Sequence, residues 1–238
     1  MTSSCCGITI DAMRLMPRAV LLVVLSLCMP AWAQVVQVPL CYNYGCSAHG
    51  EVVFASLSLE RVHARLLAAP DPPTERTALA AVIGELYGLA AAQTPVGTDR
   101  AGNFLDHGVD GRMDCIDHST NTTLFLAMIE ARGMLRFHRV LEPARRMRFI
   151  VQHFSAVIEE IEPPAALQPK PEVPDHVPLL LALCDCAEVL GDIPVPVPVV
   201  NSRPGERYVI DSWFVDNGEA AIVLPLANWL DGEGPNVQ

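Results

Sequence analysis

Cys115 lies in Gly111-Arg-Met-Asp-Cys-Ile-Asp-His-Ser-Thr-Asn-Thr-Thr123, where a glycine-containing loop runs into a strongly helical stretch. A thiol in the first turn of a helix faces unpaired amide N–H groups and the positive end of the dipole. Both favour the thiolate, the nucleophilic form. A nucleophile needs a base, and the base needs a group to orient it. His153 lies in Phe149-Ile-Val-Gln-His-Phe-Ser-Ala-Val-Ile-Glu159, and Asp211 in Arg207-Tyr-Val-Ile-Asp-Ser-Trp-Phe-Val-Asp-Asn-Gly218. Asp211 is flanked at alternate positions by Val209 and Trp213, so burying it is costly unless a partner such as a histidine on an adjacent strand stands opposite. Cysteine on a helix N-terminus, histidine on a strand and aspartate on a later strand is the order a thiol triad requires.

The elements that must position these side chains are readable around them. Asp114 is a good N-cap, Asp117 adds a carboxylate three residues later, and Ile116, Leu124, Phe125, Met128 and Ile129 recur at helical spacing before Gly133. The segments around His153 and Asp211 are rich in β-branched and aromatic residues and predict strands, with a turn at Asn217-Gly218. Alternation sets His153 on one face with Val151, Ser155 and Val157. Two packing helices are expected over Glu51–Ala69 and Thr74–Gln93, the second opening on a Thr-Glu capping pattern. Gln93 and Asn103 are candidate side-chain donors for an oxyanion beside the nucleophile. Half of the 20 prolines fall between Pro163 and Pro204. Residues 161–206 therefore read as a proline-rich insertion between the His153 and Asp211 strands, broken by one short apolar helix over Val177–Leu190. The expected role is a lid or partner-binding flap near the cleft.

The run Asp114-Cys115-Ile116-Asp117, a helix ending at Gly133, His153-Phe-Ser-Ala-Val157 and Tyr208-Val-Ile-Asp211 resembles the bacterial transglutaminase-like cysteine proteinases. The resemblance covers about residues 100–160 and 205–220. It departs from the family pattern at Met113, where a glycine is expected, and at Ile116, where a glutamate is expected. It implies an α+β fold with a papain/transglutaminase-like core, the nucleophile-bearing helix packed on an antiparallel sheet. Cys115 is then the nucleophile, His153 the base and Asp211 the orienter. Asp114, Asp117, His118 and Trp213 are candidates to line the cleft.

Composition sets the destination and the partners. Met13-Arg-Leu-Met-Pro-Arg18, the apolar run Ala19–Met29 and Ala31-Trp-Ala33 read as a signal peptide over 1–33, cleaved after Ala33, with Met13 the expected true start. The hydrolase domain then spans 34–238, periplasmic or secreted. Of the eight cysteines, Cys41, Cys46, Cys115, Cys184 and Cys186 remain after cleavage. Cys41 and Cys46 enclose a short loop and are expected to pair; Cys184 and Cys186 are a second candidate pair. That leaves Cys115 free, and catalysis gives a reason for it. The formal net charge of −11 argues against nucleic-acid and anionic-membrane partners. Arg136, His138, Arg139, Arg145, Arg146 and Arg148 form the basic cluster, expected to be a solvated surface. Cys115 and His118 share a helical face and His153 or Asp211 could complete a metal site, but no second close-spaced ligand pair exists. Neither metal nor cofactor is expected. The expected activity is that of a cysteine peptidase or amidase, or of a transamidase where an amine replaces water as acceptor, and the expected substrate is a peptide or protein of the cell envelope. The rival reading is a catalytically inactive binding module on the same fold.

Overall fold

The first described element is a hairpin whose second strand takes the first four residues of the helix expected over Glu51–Ala69. Val36–Tyr42 (β1) pairs antiparallel with Ala48–Phe54 (β2). Val38, Leu40, Val52 and Phe54 point inwards on alternate positions, and Val38 stands opposite Val52. Residues 51–54 are therefore strand, which corrects the helix expected from Glu51; β-branched Val52 and Val53 and aromatic Phe54 suit a pleated surface. The computed structural model describes residues 35–102, 105–148, 150–162, 177, 183 and 202–235. The expected signal peptide, Asn103, Cys184, Cys186 and nearly all of the proline-rich insertion lie outside them.

Helices follow at Ser56–Leu67 (α1) and Pro72–Ala91 (α2). The second starts at Pro72 rather than Thr74: Asp71 is its N-cap, accepting from the Thr74 amide at 2.9 Å, and Pro72 and Pro73 occupy first-turn positions that need no amide donor. Gly84, inside α2, lies against the backbone of Glu219, whose carbonyl oxygen a Cβ would strike. Gly84→Ala tests which effect wins. Helix propensity favours alanine by about 1 kcal/mol, but overpacking against an immovable carbonyl costs about 1–3 kcal/mol or more. We expect net destabilisation, seen as a lower midpoint in urea; an unchanged or raised midpoint would refute that close packing.

Cys115–Ala131 forms α3, with Asp114 as N-cap, Asp117 completing a capping box and Gly133 at φ +67° where the chain leaves the helix. Phe125, Leu126 and Ile129 on this helix share one core with β1, β2, α1, α2 and the sheet residues Ala156, Ile158, Tyr208 and Ile210. That sheet has the order β3-β4-β5-β6, antiparallel throughout, from His138–Arg148 (β3), Val151–Glu160 (β4), Arg207–Asp211 (β5) and Ile222–Pro225 (β6). A last helix, Leu226–Leu230 (α4), brings Trp229 against Val157 and Val209 on the other alternation of the sheet.

From His138 onwards the basic cluster therefore lies on strand β3, and it is not wholly solvated. Arg146 is buried, its guanidinium donating to the carbonyls of Trp229, Glu233 and Pro235 and stacking over the Trp229 ring. His138 is buried too, its Nδ1 at 2.7 Å from the Glu75 carboxylate. The architecture is α+β, with antiparallel sheets and four α-helices among the described residues. None of those helices is long and apolar enough to cross a membrane.

Candidate active site

Strand β4 is longer than its partner. Its pairing with β5 covers Ala156–Glu159, so Gln152–Phe154 has β3 on one side and, among the described residues, no strand on the other. Cys115 comes against this stretch: its Sγ lies 3.8 Å from the Gln152 carbonyl oxygen and meets the Phe154 amide. The thiol thus touches the backbone on either side of His153. It is half-buried and is the free cysteine among the described residues.

His153 is 4 % exposed and Asp211 3 %. The imidazole Nε2 is 2.6 Å from Asp211 Oδ2. The second nitrogen, Nδ1, is buried with no hydrogen-bond partner. Because the carboxylate is an acceptor, Nε2 carries a proton, and in the neutral ring Nδ1 is then free to take one. Asp211 also accepts from the Trp229 indole N–H at 3.3 Å and from the Trp213 amide at 3.3 Å. Trp213, Phe214 and Trp229 surround the imidazole at ring-centroid distances of 5.2, 5.1 and 5.6 Å. This aromatic shell keeps water from the His153–Asp211 bond, which strengthens it.

The thiol itself behaves differently from the sequence expectation. Burial pushes Cys115 up to about 11, with the negative charges of Asp114 and Asp211 adding to the effect, while the amides of Phe154 and Cys115 pull the other way. Loss of hydration outweighs the helix terminus, so the resting group is a thiol and not a free thiolate. A stability consequence follows. A free thiol in an unfolded chain titrates at about 8.5, below the folded value. Over that window the folded state holds the proton more tightly, so stability falls as pH rises from the lower value to the higher. Thermal midpoints of the wild type and Cys115→Ser measured between pH 8 and 11 should diverge, with the wild type falling faster; parallel curves would contradict the burial effect.

The remaining candidates are distributed differently. Asp114 caps α3, accepting from the Ile116 and Asp117 amides. Asp117 is buried and accepts from the amides of Tyr44, Cys46 and Asp114. His118 is 3 % exposed, with Asp99 and Ser212 on its two nitrogens. Asp117 and His118 are therefore interior anchors rather than cleft-lining groups, because amides and buried partners already saturate them. Trp213 does flank the site through its contact with His153. Gln93, an oxyanion candidate, is engaged elsewhere: its amide bonds both the N–H and the C=O of Val53, sealing the edge of β2. Asn103 lies outside the described residues.

Cys41 and Cys46 form a disulfide, as expected. It closes a loop in which Asn43, Tyr44, Gly45 and Cys46 all have positive φ, so that amides of residues 44, 45 and 46 turn towards Asp114 and Asp117. The two sulfurs and the Asp117 carboxylate lie close together, but the disulfide and the amide bonds already occupy them. Sequence reasoning missed Asp99 and Ser212, which lie 19 and 94 residues from His118. No local pattern marks such pairs. Compared with known proteins, the chain matches no family model, no curated protein and no solved structure.

Proposed function

We propose that this protein is an exported thiol hydrolase, a protease or amidase, built on a papain/transglutaminase-like core. Cys115 acts as nucleophile, His153 as general base and Asp211 as orienter. The observation that carries the reading is the His153 imidazole: one nitrogen is bonded to buried Asp211 at 2.6 Å, and the other is buried and unpartnered beside residues that touch the Cys115 thiol. An unsatisfied buried nitrogen costs about 1–3 kcal/mol, a strain that a catalytic role accounts for.

The chemistry proceeds from a neutral thiol. As Sγ attacks the carbonyl carbon of a peptide or amide, the thiol proton passes to His153 Nδ1, so the thiolate never has to persist in its buried site. Asp211 holds the ring in that tautomer and stabilises the imidazolium. The Cys115 amide at the helix N-terminus donates to the developing oxyanion. Collapse of the tetrahedral species breaks the C–N bond, and His153 returns its proton to the departing amine, leaving a thioester at Cys115. Water, deprotonated by the same imidazole, then attacks the thioester carbon; the C–S bond breaks, the acid leaves, and the imidazolium returns its proton to Sγ. No cofactor enters the scheme. The signal-like N-terminus and the Cys41–Cys46 disulfide support a periplasmic or secreted setting and a peptide or protein substrate of the cell envelope.

A second reading has its own support. A thiol pushed up to about 11 suits an inert cysteine in a catalytically inactive binding module. Incubation with a peptidyl fluoromethyl ketone library separates the two. A thioether confined to Cys115, formed by the wild type and lost in His153→Ala, is expected of the enzyme; no adduct with any member would support the module.

A further inference from the structure

Beneath the triad runs a second buried polar chain that the proposed chemistry does not use. Asp99 Oδ1 accepts the Met113 amide at 2.8 Å, and its Oδ2 stands 2.9 Å from His118 Nε2. His118 Nδ1 is 2.9 Å from Ser212 Oγ, which is 2.9 Å from Thr122 Oγ1. Thr122 reaches Tyr87 OH at 3.1 Å, and that phenol donates to the His118 carbonyl, also at 3.1 Å. Asp99, His118, Thr122, Ser212 and Tyr87 are all buried.

The ends of this chain matter. Met113 is two residues before Cys115, His118 is three after it, and Ser212 directly follows Asp211. One carboxylate therefore grips the nucleophile's helix from both sides of its N-cap, and one imidazole ties that helix to the turn behind the orienting aspartate. Nε2–H donates to Asp99, Ser212 O–H donates to Nδ1, and the Thr122 hydroxyl donates in turn, so no nitrogen of this ring lacks a partner. The contrast with His153 is informative: both histidines are buried, but His118 is fully satisfied while His153 keeps an unpartnered nitrogen.

We infer that Asp99, His118 and Ser212 are positioning residues, a buried Asp–His–Ser strut that sets the distance from the Cys115 thiol to the His153–Asp211 couple. The inference rests on the thiol-triad reading. Proton transfer between thiol and imidazole is sensitive to displacements of well under an ångström. Without the Ser212 hydroxyl, His118 Nδ1 has no donor, and α3 is freed to shift relative to β5.

The test is a double-mutant cycle on alkylation of Cys115 by iodoacetamide at pH 7.5, on folded protein well below its thermal midpoint. Ser212→Ala should slow alkylation about tenfold, of the size general-base displacement gives. In the His153→Ala background the same change should have no effect, since no base remains to be misaligned. Ser212→Thr, which keeps the hydroxyl, should recover much of the rate. Thr122→Val serves as a second variant should Ser212→Ala fail to fold, with the same sign and a smaller effect. A purely structural role predicts the opposite: loosened packing exposes the thiol and speeds alkylation in both backgrounds. If His153→Ala slows the reaction but Ser212→Ala and Thr122→Val do not, the strut is refuted and the triad stands. If His153→Ala itself changes nothing, the triad reading falls and the strut with it.

Discussion

His153→Ala should slow alkylation of Cys115 at pH 7.5 by about 100-fold, the range that loss of a positioned general base produces. Burial pushes the Cys115 thiol up to about 11, so at pH 7.5 only about one molecule in three thousand carries a thiolate unaided. Whatever reactivity the wild type shows must therefore come through a neighbouring base, and His153, whose flanking backbone groups touch the thiol, holds an unpartnered Nδ1. Asp211→Asn should lose a comparable amount. An amide can donate to Nε2 and so favours the tautomer with its proton on Nδ1, where it cannot take another. In Asp211→Asn, Trp213 and Trp229 would still pack around the ring, whereas His153→Ala leaves buried Asp211 without its histidine at a cost of about 1–3 kcal/mol, so both rates are read on folded protein well below its thermal midpoint. Equal rates in wild type and His153→Ala would remove the base from the account.

Asp117→Ala should cost about 3 kcal/mol of stability. Three amides, of Tyr44, Cys46 and Asp114, point at this one carboxylate, and each donor left without an acceptor costs about 1–3 kcal/mol. Water can reach these part-buried groups, which keeps the total towards the lower end. Burial raises Asp117 above the ordinary carboxylate range, and that desolvation offsets part of the gain from its three bonds. In a domain of this size about 3 kcal/mol corresponds to a thermal midpoint lower by roughly 10 °C. Asp117→Asn should recover less than half, because its NH₂ must face one of the three donors. Loss of under about 0.5 kcal/mol in Asp117→Ala, the ordinary range for a surface change, would show that the left-handed loop is held by its disulfide alone.

The nucleophile's helix was legible because its signals are local. Asp114, Asp117 and Gly133 mark its ends within the sequence itself, and the structure has α3 over Cys115–Ala131. The strands of His153 and Asp211 were legible from β-branched runs for the same reason. The β1–β2 hairpin was not: Val52, Val53, Leu57 and Leu59 imitate helical spacing across a strand–helix boundary at Ala55. Strand β3 was hidden by charge. Arg145 and Arg148 are exposed as a basic surface should be, but Arg146 on the same strand is buried by three carbonyls that come from Trp229, Glu233 and Pro235. The thiol's environment was misjudged because a helix terminus is a local feature and desolvation is a tertiary one. The Asp99–His118–Ser212 strut was invisible for the most basic reason, since its members meet only when the fold closes.

The most direct test of the central claim is the pH dependence of Cys115 alkylation by iodoacetamide in the purified protein, compared with His153→Ala. The wild-type rate should stand well above that of His153→Ala across the range below pH 9, with the His153→Ala curve staying low and climbing only as pH approaches 11. Superimposable curves, both climbing only at high pH, would contradict it and leave a buried, unassisted thiol on a non-catalytic domain.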